Sequence, residues 1–242
     1  MADEESKFLF PKDRTLSCKT LALLKGALGI IPIAGATCSE LLGYFLQRPL
    51  QRRQEQWFEF IGQSLEDVIE RLGTLEEIIS NDNFIDMAIK ATKIALTTTK
   101  QEKINALKNA VLNSTINNNF DEIKQQVFIA LLDQFNEYHI EFLKLLDGQM
   151  ERVKEINFNN YDGSYMLNPN FFHLIAKIFP NLDQKEDFCK IIMNDLFYKN
   201  LTTTQSYDFP LTNDNYDHFV VGNRTTTIGK EFLNFISEPK FQ

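Results

Sequence analysis

The chain has 242 residues, 43% of them hydrophobic, a net charge of −8 and a pI of about 5.0. This is enough for one large domain or two small ones, with a sizeable core. The acidic balance excludes a general attraction to nucleic acid or anionic lipid. Three scattered cysteines, Cys18, Cys38 and Cys189, exclude a disulfide framework and a Cys-x-x-Cys metal pattern. The start, MADEESKF, is acidic and carries no secretion signal, so the expected compartment is the reducing cytoplasm.

Charge is unevenly spread. Seven basic and two acidic residues lie between Lys12 and Arg53, which leaves −13 on the remainder. The chain reads as a basic N-terminal segment on an acidic body. Within that segment, Gly26–Arg53 combines Gly26, Gly29, Gly35 and Gly43 with an apolar run, Pro32, Pro49 and the cluster Arg48, Arg52, Arg53. Leu16–Leu28 predicts a short helix. Pro32, which has no amide to donate, and Gly35, which tolerates positive φ, predict a turn. Thr37 or Ser39 can cap the helix that follows. The result is a Gly-rich hairpin over 26–44. Its uncharged run, Gly26–Ser39, falls short of the roughly 20 apolar residues a membrane span needs. Shallow insertion is the alternative to packing within the protein.

Pro49 suits the first turn of a new helix or a kink in one long helix. Over Leu50–Leu72 the stripe Trp57, Phe58, Ile61, Leu65, Val68, Ile69 predicts a core-facing helix. Asp82 is expected to cap a helix to Thr97 with Ile85, Ala88, Ile89, Thr92, Ala95 and Leu96 inward. Gln101–Leu112 follows, then a polar loop, Asn113–Asn119. Phe120–Leu146 keeps a three/four apolar spacing and predicts one long helix, with Ile123, Val127, Leu131 and Phe135 inward. Asn157–Asn170 lacks period and predicts a linker at 157–170 between a helical domain, 1–156, and a second domain, 171–242. There, Asn170–Phe179 and Asp183–Lys199 predict helices. Leu201–Thr204 and Asp217–Val221 predict strands, and Thr225–Ile236 a closing helix. The expected fold is mainly α: an N-terminal helical bundle plus a small α+β winged-helix-like domain.

No motif for catalysis stands out. His139, His173 and His218 fall in no HExxH, and the chain has no P-loop, no nucleotide-binding glycine fingerprint after a strand and no G-x-S-x-G. Carboxylates Glu122, Asp133, Glu137 and Glu141 lack the Glu-x-x-His pairs of a di-metal bundle. Cys189, among Phe188, Ile191 and Ile192, reads as a small core residue. No enzyme activity, cofactor or metal is expected. The candidate recognition helix, Asp183–Lys199, carries Asp183, Glu186, Asp187 and Asp195, which disfavours phosphate contact.

The ending Arg224–Leu233, with T-x-x-G-x-x-F spacing at Thr226, Gly229 and Phe232, resembles the close of winged-helix domains. With Leu50–Trp57, Asn109–Asn113 and Arg224–Ile236, most of the chain is similar to an uncharacterised family of bacterial helical cytosolic proteins. That resemblance implies a bacterial cytosolic context and brings no catalytic motif. The leading expectation is a non-enzymatic interaction or regulatory protein, in a stress or defence system, with a protein partner or a second copy of itself. One alternative is a membrane-perturbing effector that meets an anionic membrane surface peripherally through the hairpin. The other is a DNA-binding regulator. The candidate membrane or partner contacts are Gly26, Gly29, Pro32, Gly35, Gly43, Arg48, Arg52, Arg53 and Trp57. Small residues allow close backbone approach and the arginines can meet anions.

Overall fold

The structure, a computed structural model, describes residues 40–72, 78, 80–116, 121–148, 170–213, 219–221 and 223–239. Its described part is mainly helical, and the chain divides into two compact units. The first comprises residues 1–134 and 235–242, the second 135–234.

Helix α1, Glu40–Leu72, opens the described chain and includes Pro49, as the alternative of one long helix expects. Pro49 can make no rung there, and it is exposed. The buried stripe is Trp57, Phe58, Ile61, Leu65 and Val68. Helix α2, Asp82–Thr97, is capped by Asn81, one residue before the expected Asp82. Asn81 Oδ1 accepts from the amides of Asn83 at 2.9 Å and Phe84 at 3.2 Å. The core face therefore also takes Phe84, Met87, Ala91 and Ile94, while Ile85 and Ile89 are only half-buried.

Helix α3, Gln101–Ile116, extends past the expected end at Leu112. Asn113, assigned to a loop by its polarity, is a buried helical residue. Its Nδ2 donates to the carbonyls of Phe235 at 2.9 Å and Ser237 at 2.8 Å. One turn earlier, Asn109 Nδ2 donates to Ile236 O at 2.9 Å. Two asparagines on one helix face thus satisfy carbonyls that the end of the last helix cannot bond internally. Phe128 packs on Phe235, ring centroids 5.5 Å apart, in the same unit.

The single helix expected over 120–146 is two: α4, Glu122–Gln134, and α5, Glu137–Leu146. Asn136 causes the break. Its backbone is extended, and its Oδ1 accepts from the amides of Tyr138 at 3.0 Å and His139 at 3.3 Å. His139 Nδ1 in turn accepts from the Asn136 amide at 3.3 Å. A reciprocal capping box outweighs the apolar period that runs through the site. The break also changes the buried face. Ile123 is 78% and Val127 51% exposed, while Phe128, Ile129, Leu131 and Leu132 are buried.

The second unit holds α5; α6, Phe171–Ile178; a 3₁₀ turn, Pro180–Leu182; and α7, Glu186–Tyr198. Strands β1, Thr212–Asn213, and β2, Phe219–Val220, follow, and then α8, Thr227–Ile236, whose last two residues belong to the first unit. Asn170 caps α6 with His173 as Asn136 caps α5 with His139. An aromatic chain runs through the core: Phe209 stacks on Phe171 at 4.8 Å, and Phe171 meets Phe142 edge-on at 6.0 Å.

Here the sequence reading needs two corrections. Leu201–Thr204 is not a strand, because α7 ends in a left-handed cap at Asn200, φ 58°. The Leu201 amide bonds back to Leu196 O at 2.9 Å and that of Asn200 to Phe197 O at 2.8 Å. What remains is a single bridge, Thr202 to Thr225. The β content of the described residues is otherwise a bridge from Asn170 to Pro210 and one short antiparallel pair, Thr212 opposite Val220 and Asn213 opposite Phe219. The expected linker lies outside the described residues except Asn170, the α6 cap. Helix α5, placed by the sequence in the domain 1–156, groups with the second unit.

Candidate functional site

Of the contact residues singled out by sequence, Gly26, Gly29, Pro32 and Gly35 lie outside the described residues. Gly43 and Arg48 stand in α1, and Arg52 is exposed. The structure brings the other two against α2. Arg53 Nη1 donates to Leu96 O at 3.2 Å, a cation on the last turn of a helix, where the dipole favours it. Trp57, a contact candidate that the apolar period also placed in the core stripe, is a core residue, 2% exposed. Its indole N–H donates to Thr92 Oγ1 at 2.9 Å, and that hydroxyl donates to Ala88 O at 2.6 Å.

The chemistry-bearing residues divide similarly. His139 and His173 are helix-capping groups, and His218 lies outside the described residues. His139 also stacks on Phe135 at 4.7 Å and reaches Asp195 Oδ2 with Nε2 at 3.3 Å. Burial pushes the Cys189 thiol up to about 11, so it stays a protonated, unreactive core group at neutral pH. Among the described residues no group of three or more His, Cys, Asp or Glu side chains could hold a metal ion. No described helix is long and apolar enough to cross a membrane.

The surface feature that stands out was not picked from the sequence. It is the outer face of α7 in the second unit. One side of α7 is buried through Cys189, Ile192, Met193 and Leu196. The opposite ridge carries Asp187, Ile191, Asn194, Asp195 and Tyr198. Ile191 is 56% and Tyr198 74% exposed. Beside this ridge opens a cleft of about 500 Å³ lined by Lys190, Asn194, Gln205, Ser206 and Tyr207. Gln205 Nε2 ties the segment to the helix, donating to Asn194 Oδ1 at 2.9 Å and to the Tyr198 hydroxyl at 3.3 Å.

The charges at the cleft are fixed in their resting states. Tyr207 donates to Glu186 Oε1 at 2.6 Å. Lys190 Nζ lies 3.2 Å from both Glu186 Oε1 and Asp187 Oδ1, and 5.0 Å from the centre of the Tyr207 ring. The Tyr207 hydrogen bond, with Lys190, holds the Glu186 carboxyl below its usual range. The bonds to Glu186 and Asp187 push Lys190 up, and the bond to Glu186 pushes the Tyr207 phenol up. Each group is thereby held more firmly in the protonation state it has at neutral pH.

A titration checks this network. Glu186 is lowered in the folded chain, so its ties are complete above the ordinary carboxylate value and are lost as pH falls through the lowered one. Carboxyl-carbon NMR is expected to show Glu186 titrating below an ordinary glutamate. Tyr207→Phe should move the midpoint back up. An unchanged midpoint in Tyr207→Phe would contradict the assigned cause.

One signal for this face emerges once the buried side of the helix is known. On a helical wheel Ile191 and Tyr198 fall outside the core stripe of α7, which marks them as apolar residues without a buried place. Tyr207 could not be read, since its partner Glu186 stands 21 residues earlier. No protein-family model, no curated protein and no solved structure matches the chain.

Proposed function

We propose that this is a non-enzymatic interaction protein whose second unit presents the outer face of α7 to a protein partner. The observation that carries the reading is the pairing of exposed Ile191 and Tyr198 with the adjoining Lys190–Tyr207 cleft. An apolar and aromatic ridge beside ordered polar groups has the composition of a contact surface: aromatic anchors within a polar rim. The bacterial cytosolic setting, in a stress or defence system, rests on the family resemblance alone.

The winged-helix-like reading rests on the sequence resemblance of Arg224–Leu233 alone. DNA recognition by it has little support. Glu186 and Asp187 occupy the first turn of α7, and its Lys190 is already engaged by both. The helix that would enter a groove offers phosphate a line of carboxylates. Membrane action by the Gly-rich hairpin rests chiefly on residues 26–39, which lie outside those described.

Copurification from the cells of origin, comparing wild type with Ile191→Asp/Tyr198→Asp, tests the reading. The variant is expected to keep the wild-type melting temperature and to lose a partner retained by the wild type. Equal recovery of the same proteins by both would overturn the reading.

A further inference from the structure

Two carboxylates frame the apolar part of the α7 ridge. Asp187 has a side chain 97% exposed, and that of Asp195 is 53% exposed. Each has one engaged oxygen: Asp187 Oδ1 with Lys190, and Asp195 Oδ2 with His139. Asp187 Oδ2 and Asp195 Oδ1 have no partner among the described residues. Ile191 stands midway between them, and Tyr198 one turn beyond Asp195. The sequence Asp187, Ile191, Asp195, Tyr198 therefore alternates acid, apolar, acid, aromatic along a single face, with the acids about 12 Å apart at 1.5 Å per residue.

Resting on the interaction reading above, we propose that this ridge takes a cationic amphipathic helix of a protein partner. A helix lying along α7 has the same rise. Lys or Arg side chains two turns apart on it meet Asp187 and Asp195 together, with an apolar side chain between them on Ile191. The exposed Tyr198 ring accepts a further cation over its face, with Arg favoured for its planar group. Lys190 does not oppose this, because Glu186 and Asp187 already share its charge. Nucleic acid and anionic lipid are refused by the same carboxylates, so the ridge selects for the sign of its partner.

The test is a selection of random helix-forming peptides displayed against the full chain, with Ile191→Asp/Tyr198→Asp as the counter-target. Peptides with a net positive charge and an apolar face are expected to enrich on the wild type only. Asp187→Asn/Asp195→Asn keeps hydrogen-bonding groups at both positions. It is expected to weaken the leading peptide by about tenfold. High salt should do the same to the wild type. Acidic or neutral peptides that still need Ile191 and Tyr198 would overturn the cationic partner and leave α7 as a contact face. Peptides that bind wild type and counter-target alike, or no enrichment at all, would overturn both.

Discussion

Gly229→Ala is expected to destabilise the second unit by about 3 kcal/mol, because nothing near the new methyl group can move aside. A Cβ at Gly229 would lie 2.1 Å from the Leu201 carbonyl oxygen and 3.0 Å from its carbon. That carbonyl belongs to the backbone, and it accepts from the Thr226 amide at 3.0 Å. The Leu201 amide is held in the cap of α7, and its side chain is fully buried. Thr226 adds the N-terminal cap of α8, its Oγ1 accepting from the Gly229 amide at 3.0 Å and donating to Asn200 O at 2.6 Å. The Thr-x-x-Gly spacing thus has a local physical meaning: one residue caps the helix and the other lets it approach a neighbouring carbonyl. Gly148→Ala is the control. It has a positive φ of 73° and open space around it, so only backbone strain applies, about 1 kcal/mol. Thermal melts followed by circular dichroism are expected to lower the transition by roughly 10 °C or more in Gly229→Ala and much less in Gly148→Ala. Equal shifts would mean that α8 does not approach Leu201 as described.

Trp57→Ala is expected to cost the first unit about 3–5 kcal/mol, the range for emptying a large aromatic site in a packed core. Trp57 is 2% exposed, and its neighbours in the first unit include Phe60, at a ring separation of 6.4 Å. Thr92→Val probes the polar half of the same site. It removes the acceptor at 2.9 Å and leaves the indole N–H buried and unpaired, a loss of about 1–3 kcal/mol. Urea unfolding by circular dichroism measures both. A surface contact role for Trp57 requires the reverse: wild-type stability with loss of a binding partner. Since Trp57 is the sole tryptophan, wild-type fluorescence also reports directly on this unit.

What the sequence disclosed, it disclosed through period. The stripe Trp57, Ile61, Leu65, Val68 marks the core face of α1, and Cys189 and Ile192 mark that of α7. What it concealed depends on contacts between distant residues or on single polar side chains. The apolar spacing runs unbroken from Val127 through Phe135 to Phe142, so it predicts one helix. Only Asn136 signals the break, and an Asn with a His three residues on is a weaker signature than the usual Ser/Thr–Glu capping box. Asn113 has loop-like chemistry, yet it is helical because its amide finds the carbonyls of Phe235 and Ser237 more than a hundred residues away. The strand expected at Leu201 was lost to the left-handed Asn200, a residue type that tolerates positive φ. On the candidate site, the sequence reading grouped Ile191 with Cys189 and Ile192 and did not single out Tyr198; their exposure shows only in the fold. The cleft beside them was not legible either, since it needs the return of Gln205–Tyr207 onto α7. Of the Gly-rich stretch that dominates the sequence, residues 26–39 fall outside the described residues and 40–53 belong to α1.

The most direct measurement is site-specific photocrosslinking in the cells of origin, with the photoreactive group at Tyr198 on the α7 ridge or at the exposed Lys230 of α8. The expected result is a discrete adduct with another protein from position 198 and none from 230, abolished by Ile191→Asp. Equal adducts from both positions, or none from 198, would contradict α7 as the contact face of this protein.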